Sequence, residues 1–144
     1  MISEAEKAVW RKMFEAACAI HGNRVISPFI EAGCVSAAIE SSSGKIYTGV
    51  CIDTACGLGM CAERSALVSM ISSGESHVRK VLCIMPDGRC GGTPCGACRE
   101  FLMQLSPDSP QIEILTDIET FATVKLGEMV PDWWGAKEFE SETR

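Results

Sequence analysis

Four residues have types and spacing that could do chemistry together: Cys61 and Glu63 in "GLGMCAERSAL" (57–67), and Cys95 and Cys98 in "GGTPCGACREF" (91–101). Three residues apart on a helix, Cys95 and Cys98 share one face, so both sulfurs can reach one ion. Pro94 suits a helix start, where free backbone N–H groups stabilise thiolates. By itself the pair has two ordinary readings, a redox dithiol or half of a structural zinc site. Cys61 stands at the predicted start of another helix and adds a third thiolate. A structural zinc would want a fourth protein ligand, and no second Cys-x-x-Cys or His pair supplies one. His21 and His77 lie in turn-like surroundings without ligand spacing and read as surface or packing residues. Three protein ligands and an open position describe a catalytic zinc that holds water, one ion per chain. Glu63, two residues after a ligand, is then the proton carrier.

These residues need elements to hold them. Ala5, Val9, Met13, Ala16, Ala17 and Ile20 recur at helical spacing, so residues 3–20 read as an amphipathic helix ending near Gly22. Stretches 35–40 and 45–52 are β-prone and joined by Ser41-Ser42-Ser43-Gly44, a hairpin by its turn chemistry. The spacing predicts a helix over 62–71 with Leu67, Val68 and Ile71 facing inward, closed by Gly74. A buried strand over 81–85, a helix over 95–105 and strands over 112–116 and 120–126 follow, then a short turn at "GEMVPDWW". Strands alternating with helices suggest an α/β sheet of about five strands covered by helices on both faces. No linker, repeat or low-complexity stretch divides the chain, so residues 1–144 read as one domain.

Composition narrows the class. With 144 residues, 47% apolar and 22% charged, the chain is globular and can bury a real core. A net charge of −6, with basic residues only in isolated pairs such as Arg11-Lys12 and Arg79-Lys80, argues against nucleic acid as a partner. Residues 1–20 carry Glu4, Glu6, Lys7, Arg11 and Glu15, which no signal peptide core would tolerate, and no run is long enough to span a membrane. The reading is a cytoplasmic protein with reduced thiols. Nine cysteines at irregular spacing do not make a disulfide framework. Cys18, Cys34, Cys56, Cys83 and Cys90 are expected to pack as small apolar residues.

"CAE" followed by "PCGAC" resembles the signature of the zinc-dependent cytidine deaminase superfamily. The likeness runs from about Val35 through "VPDWW" and implies a three-layer α/β/α fold. Cysteine at the first ligand position, followed by Glu63 and Arg64, is similar to the small tetrameric nucleoside deaminases. The resemblance implies that Cys61, Cys95 and Cys98 hold Zn²⁺ and that Glu63 is the catalytic acid/base. It also implies that the backbone near Ala62 and Thr93 holds a cytosine-type substrate, in a homotetramer. Arg64 would offset the negative charge of three thiolates on one Zn²⁺, with a solvated helix-face arginine as the alternative.

The chain also departs from that pattern. Where cytidine deaminases have Asn-x-Glu to grip a ribose hydroxyl, "GVCIDTACGLGMCAE" has Cys51 and Asp53, and the connecting loop looks one residue shorter. The phenylalanine that lies beside the pyrimidine in the family has no match, since Gly33 stands there. These departures resemble blasticidin S deaminase, so a blasticidin-like compound or another aminated heterocycle is the alternative substrate to a cytosine nucleoside. A non-catalytic zinc-binding protein on the same fold is the alternative class. Asp53 also reads as a turn residue, and Cys51 as a small buried one. Trp133 and Trp134 read either as a cap on the sheet or as aromatics reaching a neighbouring subunit's pocket.

Overall fold

The computed structural model describes residues 2–142; Met1, Thr143 and Arg144, which the one-domain expectation includes, lie outside the described residues. The first helix, α1 (Glu4–Cys18), begins where Ser3 and Glu6 close a reciprocal cap. The Glu6 N–H donates to the Ser3 hydroxyl at 3.1 Å, and the Ser3 N–H donates to the Glu6 carboxylate at 3.0 Å. Two of the orphan donors at a helix start are satisfied this way. Its buried stripe is Trp10, Met13 and Ala17. Ala5 and Ile20, expected on the apolar face, are exposed, because Trp10 rather than Ala5 sets the stripe and the helix ends before Ile20.

Six strands form one sheet, one more than expected. They are β1 (Arg24–Ser27), β2 (Ile30–Ser41), β3 (Ile46–Thr54), β4 (Val78–Ile84), β5 (Glu113–Asp117) and β6 (Ala122–Lys125). The expected hairpin forms through β2 and β3, with Ala37 opposite Gly49 and Ile39 opposite Tyr47. Along its other edge β2 pairs with β1 near Ala32 and with β4 from Ser36 onward. β4 and β5 run parallel, and β6 returns antiparallel to β5, so the sheet is mixed. The strand missed in the sequence, β1, is exposed at Arg24, Val25 and Ile26 and so lacks the alternation that marks a half-buried strand.

Alternation along β2, β4 and β5 sends side chains to two faces, and each face is covered by helix. On one, Trp10, Met13 and Ala17 of α1 meet Ala38, Leu82, Ile84 and Leu115. On the other, α2 (Ala62–Ser72) and α3 (Gly96–Met103) bring Ala66, Leu67, Met70, Leu102 and Met103 against Ile39, Val81 and Ile114. Three layers, helix on sheet on helix, are the result.

The inward face of α2 is Ala62, Glu63, Ala66, Leu67 and Met70. Leu67 faces inward as expected, but Val68 and Ile71 are 42% and 44% exposed. The cause is a close approach of helix to strand. A Cβ on Gly49 would lie 2.3 Å from the Ala66 nitrogen, so the small-residue side of α2 must face β3. Val68 and Ile71 are then carried to the outside by the helical period. The expected turn after β6 is preceded by a short helix, α4 (Leu126–Met129), and followed by another, α5 (Ala136–Glu142). Among the described residues no helix is long and apolar enough to cross a membrane.

Candidate active site

Both thiol motifs lie at helix starts. Cys61 is the N-cap of α2 and Cys95 the N-cap of α3, each with extended backbone and neither with the reciprocal side-chain cap found at Ser3. Cys98 follows in the first turn of α3. Residues 61 and 95, far apart in sequence, meet because α2 and α3 start at the same end of the sheet face they share. The Cys61 and Cys95 sulfurs are 3.5 Å apart, and all three Sγ atoms lie within 4.8 Å of one another. A tetrahedral Zn²⁺ with Zn–S bonds of about 2.3 Å needs sulfurs about 3.8 Å apart, which matches this spacing. Among the described residues this is the one group of three or more His, Cys, Asp or Glu side chains that could hold a metal ion.

The environment treats the thiols differently. Burial alone would push Cys95 up, but hydrogen bonds, led by the Cys98 backbone N–H and the Cys61 side chain, hold it below the ordinary thiol value. For Cys98, burial and then the charges of Glu63 and Cys61 push its thiol up.

Glu63 is 6% exposed, and one of its carboxylate oxygens is 3.7 Å from Cys98 Sγ. Arg64 Nη2 donates to Cys61 Sγ at 3.5 Å. Hydrogen bonds to Cys61, then Cys98, raise the guanidinium's pKa still further. Its Nε is buried and has no hydrogen-bond partner. This geometry differs from that of a solvated arginine on an open helix face.

A cavity of about 180 Å³ opens over the thiols, lined by Val35, Cys51, Cys61, Ala62, Glu63, Met85, Thr93 and Cys95. Of the sequence-derived substrate candidates, Cys51, Ala62 and Thr93 are in that lining. Asp53 is outside it and exposed, with a carboxylate oxygen 3.9 Å from Cys51 Sγ. Trp134 is not in the lining either: the residue is 71% exposed and its indole N–H donates to Glu100 at 2.8 Å. Val35 and Met85 were not anticipated. Val35 could not be placed by alternation from Gly33, because β2 shifts register between Ala32 and Ser36. Met85 is held by a packing detail that the sequence does not display: a Cβ on Gly92 would lie 2.3 Å from its sulfur.

Cys83 is buried as expected, donates to the Gly92 carbonyl at 3.0 Å, and has its thiol pushed up to about 12, first by burial. Cys90 is also buried, on the α1 side of the sheet, away from the cavity. Cys18 and Cys56 do not pack as expected; both are exposed, one at the last residue of α1 and one in the loop before Cys61. Cys34 is half-buried. His21 bonds to the Ser36 hydroxyl at 3.1 Å and His77 to Ser76 at 3.2 Å, and neither belongs to the thiol cluster.

A mixed α/β sheet with three thiols and a carboxyl converging at two helix starts is an arrangement that could hold a metal ion. Known proteins narrow this. The chain is 34% identical over 88 residues to a probable cytidine deaminase of Dictyostelium discoideum, covering 60% of this chain and 59% of that protein. It is 32% identical over 96 residues to the cytidine deaminase of Sporosarcina psychrophila, covering 64% of this chain and 70% of that one. The crystal structure of cytidine deaminase from Mycobacterium leprae superposes with a TM-score of 0.68 at 25% identity, over 85% of this chain and 98% of that one. No family model matches the chain. The chain belongs to the cytidine deaminase family.

Proposed function

We propose that this protein is a zinc-dependent hydrolytic deaminase that converts a cytosine nucleoside, cytidine or deoxycytidine, to the uracil form and releases ammonia. The observation that carries the reading is a buried carboxyl, Glu63, beside three convergent thiols at the base of a small cavity. Cys61, Cys95 and Cys98 would hold one Zn²⁺. When bound, the ion supplies Lewis acidity that brings a water's pKa toward ~7.

Everything else falls to the chain's own groups. Glu63 takes a proton from the attacking water and passes it to ring N3 as the oxygen adds at C4. The same carboxylate then takes the remaining proton from the new C4 hydroxyl and delivers it to the exocyclic nitrogen, so that the C4–N bond breaks, C4=O forms and ammonia leaves. Burial suits Glu63 to this, because few competing waters can take the proton from it. Ala62 and Thr93 hold the base through their backbone. Arg64 offsets the charge of the three thiolates, which would otherwise oppose loss of the water's proton. Cys51 and Asp53 meet the substituent on the base, and Trp134 offers its exposed ring to a neighbouring subunit in a homotetramer. The 1–144 chain acts as one domain, in the cytoplasm, where thiolate ligands stay reduced.

A second substrate reading has its own observation. Cys51 brings no amide to the cavity and Asp53 stands outside its lining, so a blasticidin-like compound or another aminated heterocycle remains the rival to a ribose. Ammonia release measured across cytidine, deoxycytidine, cytosine and blasticidin S decides between them. Release from cytidine and deoxycytidine, with a 10²–10⁴-fold loss in Glu63→Gln that still holds zinc, is the expected result. Release from blasticidin S alone moves the substrate, and release from none of them favours a non-catalytic zinc protein.

A further inference from the structure

Two neighbouring residues of α3, Arg99 and Glu100, have no part in the reaction just described, yet both are heavily bonded. Arg99 folds back along its own helix. Its Nε donates to the Pro94 carbonyl at 2.8 Å, and its Nη1 donates to the Met129 carbonyl, beyond β6, at 3.5 Å. Its backbone N–H donates to the Cys95 carbonyl at 3.0 Å. One residue therefore holds the peptide carbonyls on both sides of the Cys95 α-carbon.

Glu100 does the complementary work one position along. Its carboxylate accepts from the Trp133 indole at 3.0 Å, the Trp134 indole at 2.8 Å and Gln104 at 2.8 Å. Trp133 in turn packs against the core on the α2 and α3 side. The segment after β6 is thus tied to the metal helix twice, at Met129 through Arg99 and at the two tryptophans through Glu100.

We infer that Arg99 is a positioning residue for the ligand Cys95, and that Glu100 fixes the C-terminal segment to which the far end of Arg99 is anchored. This rests on the zinc reading above. Cys95 is the exposed member of the three thiols, and the peptide leading into it carries the Pro94 carbonyl that the Arg99 side chain holds. A swing about the Pro94–Cys95 linkage moves the sulfur directly, and a Zn–S bond tolerates only ~0.2 Å of misplacement. A planar guanidinium can bond two carbonyls in a fixed relation, whereas an ammonium on a flexible stem cannot.

The test is release of zinc to a colorimetric chelator from the zinc-loaded full chain, with the circular dichroism melt recorded for each variant. Arg99→Ala should lower zinc affinity roughly 10–100-fold, the range seen when groups that orient metal ligands are removed. Arg99→Lys should fall between it and the parent, and it serves as the decisive variant if the alanine protein does not fold. Glu100→Gln and then Trp134→Phe should show smaller losses in the same direction. Arg99 variants that melt lower but keep zinc as tightly as the parent would reduce Arg99 to a structural residue and overturn the inference, while leaving the zinc reading intact. A parent chain that binds no zinc overturns both.

Discussion

The start of α1 and the starts of α2 and α3 share one backbone geometry and differ in what closes them. Ser3, Cys61 and Cys95 all have extended caps, with φ of −73°, −69° and −67°. Ser3 turns its hydroxyl onto its own helix, and Glu6 answers with a carboxylate. Cys61 and Cys95 close no such reciprocal cap, and their sulfurs lie 3.5 Å apart. Thiols are poor caps, so local stability alone would have chosen Ser, Thr, Asp or Asn at both positions. The contrast teaches where this fold accepts weaker local structure: at the two helix starts over the cavity, and not at the one on the opposite face.

The strongest way to break the comparison is Cys61→Ser. Serine is the better N-cap, so the metal-free protein should melt no lower than the parent, and yet zinc occupancy and turnover should be largely lost. Metal analysis and ammonia release on one preparation check this; a serine variant that keeps one zinc and near-parental turnover would equate Cys61 with Ser3. Next comes Gly49→Ala, which intrudes on the first turns of α2 at Ala66. Overpacking there should cost about 1–3 kcal/mol and lower turnover as well, because Cys61 and Glu63 ride on that turn. Equal turnover in a destabilised variant would show that the helix start tolerates displacement. Smallest is Ser3→Ala, expected to cost about 1 kcal/mol by denaturant unfolding and to leave zinc and turnover unchanged. Any loss of activity there would couple the two faces of the sheet and erase the distinction.

Much of this was legible before the structure. The β2–β3 hairpin followed from its Ser-Ser-Ser-Gly turn, and helices were expected over 62–71 and 95–105, where α2 and α3 stand. The two thiol motifs could be read because their order and intervals are fixed along the chain. What could not be read has a common cause, since it depends on a partner surface. β1 has no buried alternation of its own and is a strand because β2 offers it an edge. Val68 and Ile71 look like core residues and are not, since Gly49 decides which side of α2 approaches the sheet. Cys18 and Cys56 look like core for the same apolar reason, and no surface arrives to cover them.

The sequence by itself determined the donor chemistry: three thiols, one carboxyl and one arginine, in an order matched by a known family. Those are properties of residue type and interval, and folding does not alter them. Only the tertiary structure decided that Cys61 comes within 3.5 Å of Cys95, that Glu63 is buried beside Cys98, and that Cys51 lines the cavity while Asp53 does not. It also decided that Trp133 and Trp134 spend their N–H groups on Glu100. Each of these is a distance between residues remote in the chain. Such distances are set by strand register and by how closely helices can approach the sheet, which no local run of sequence specifies.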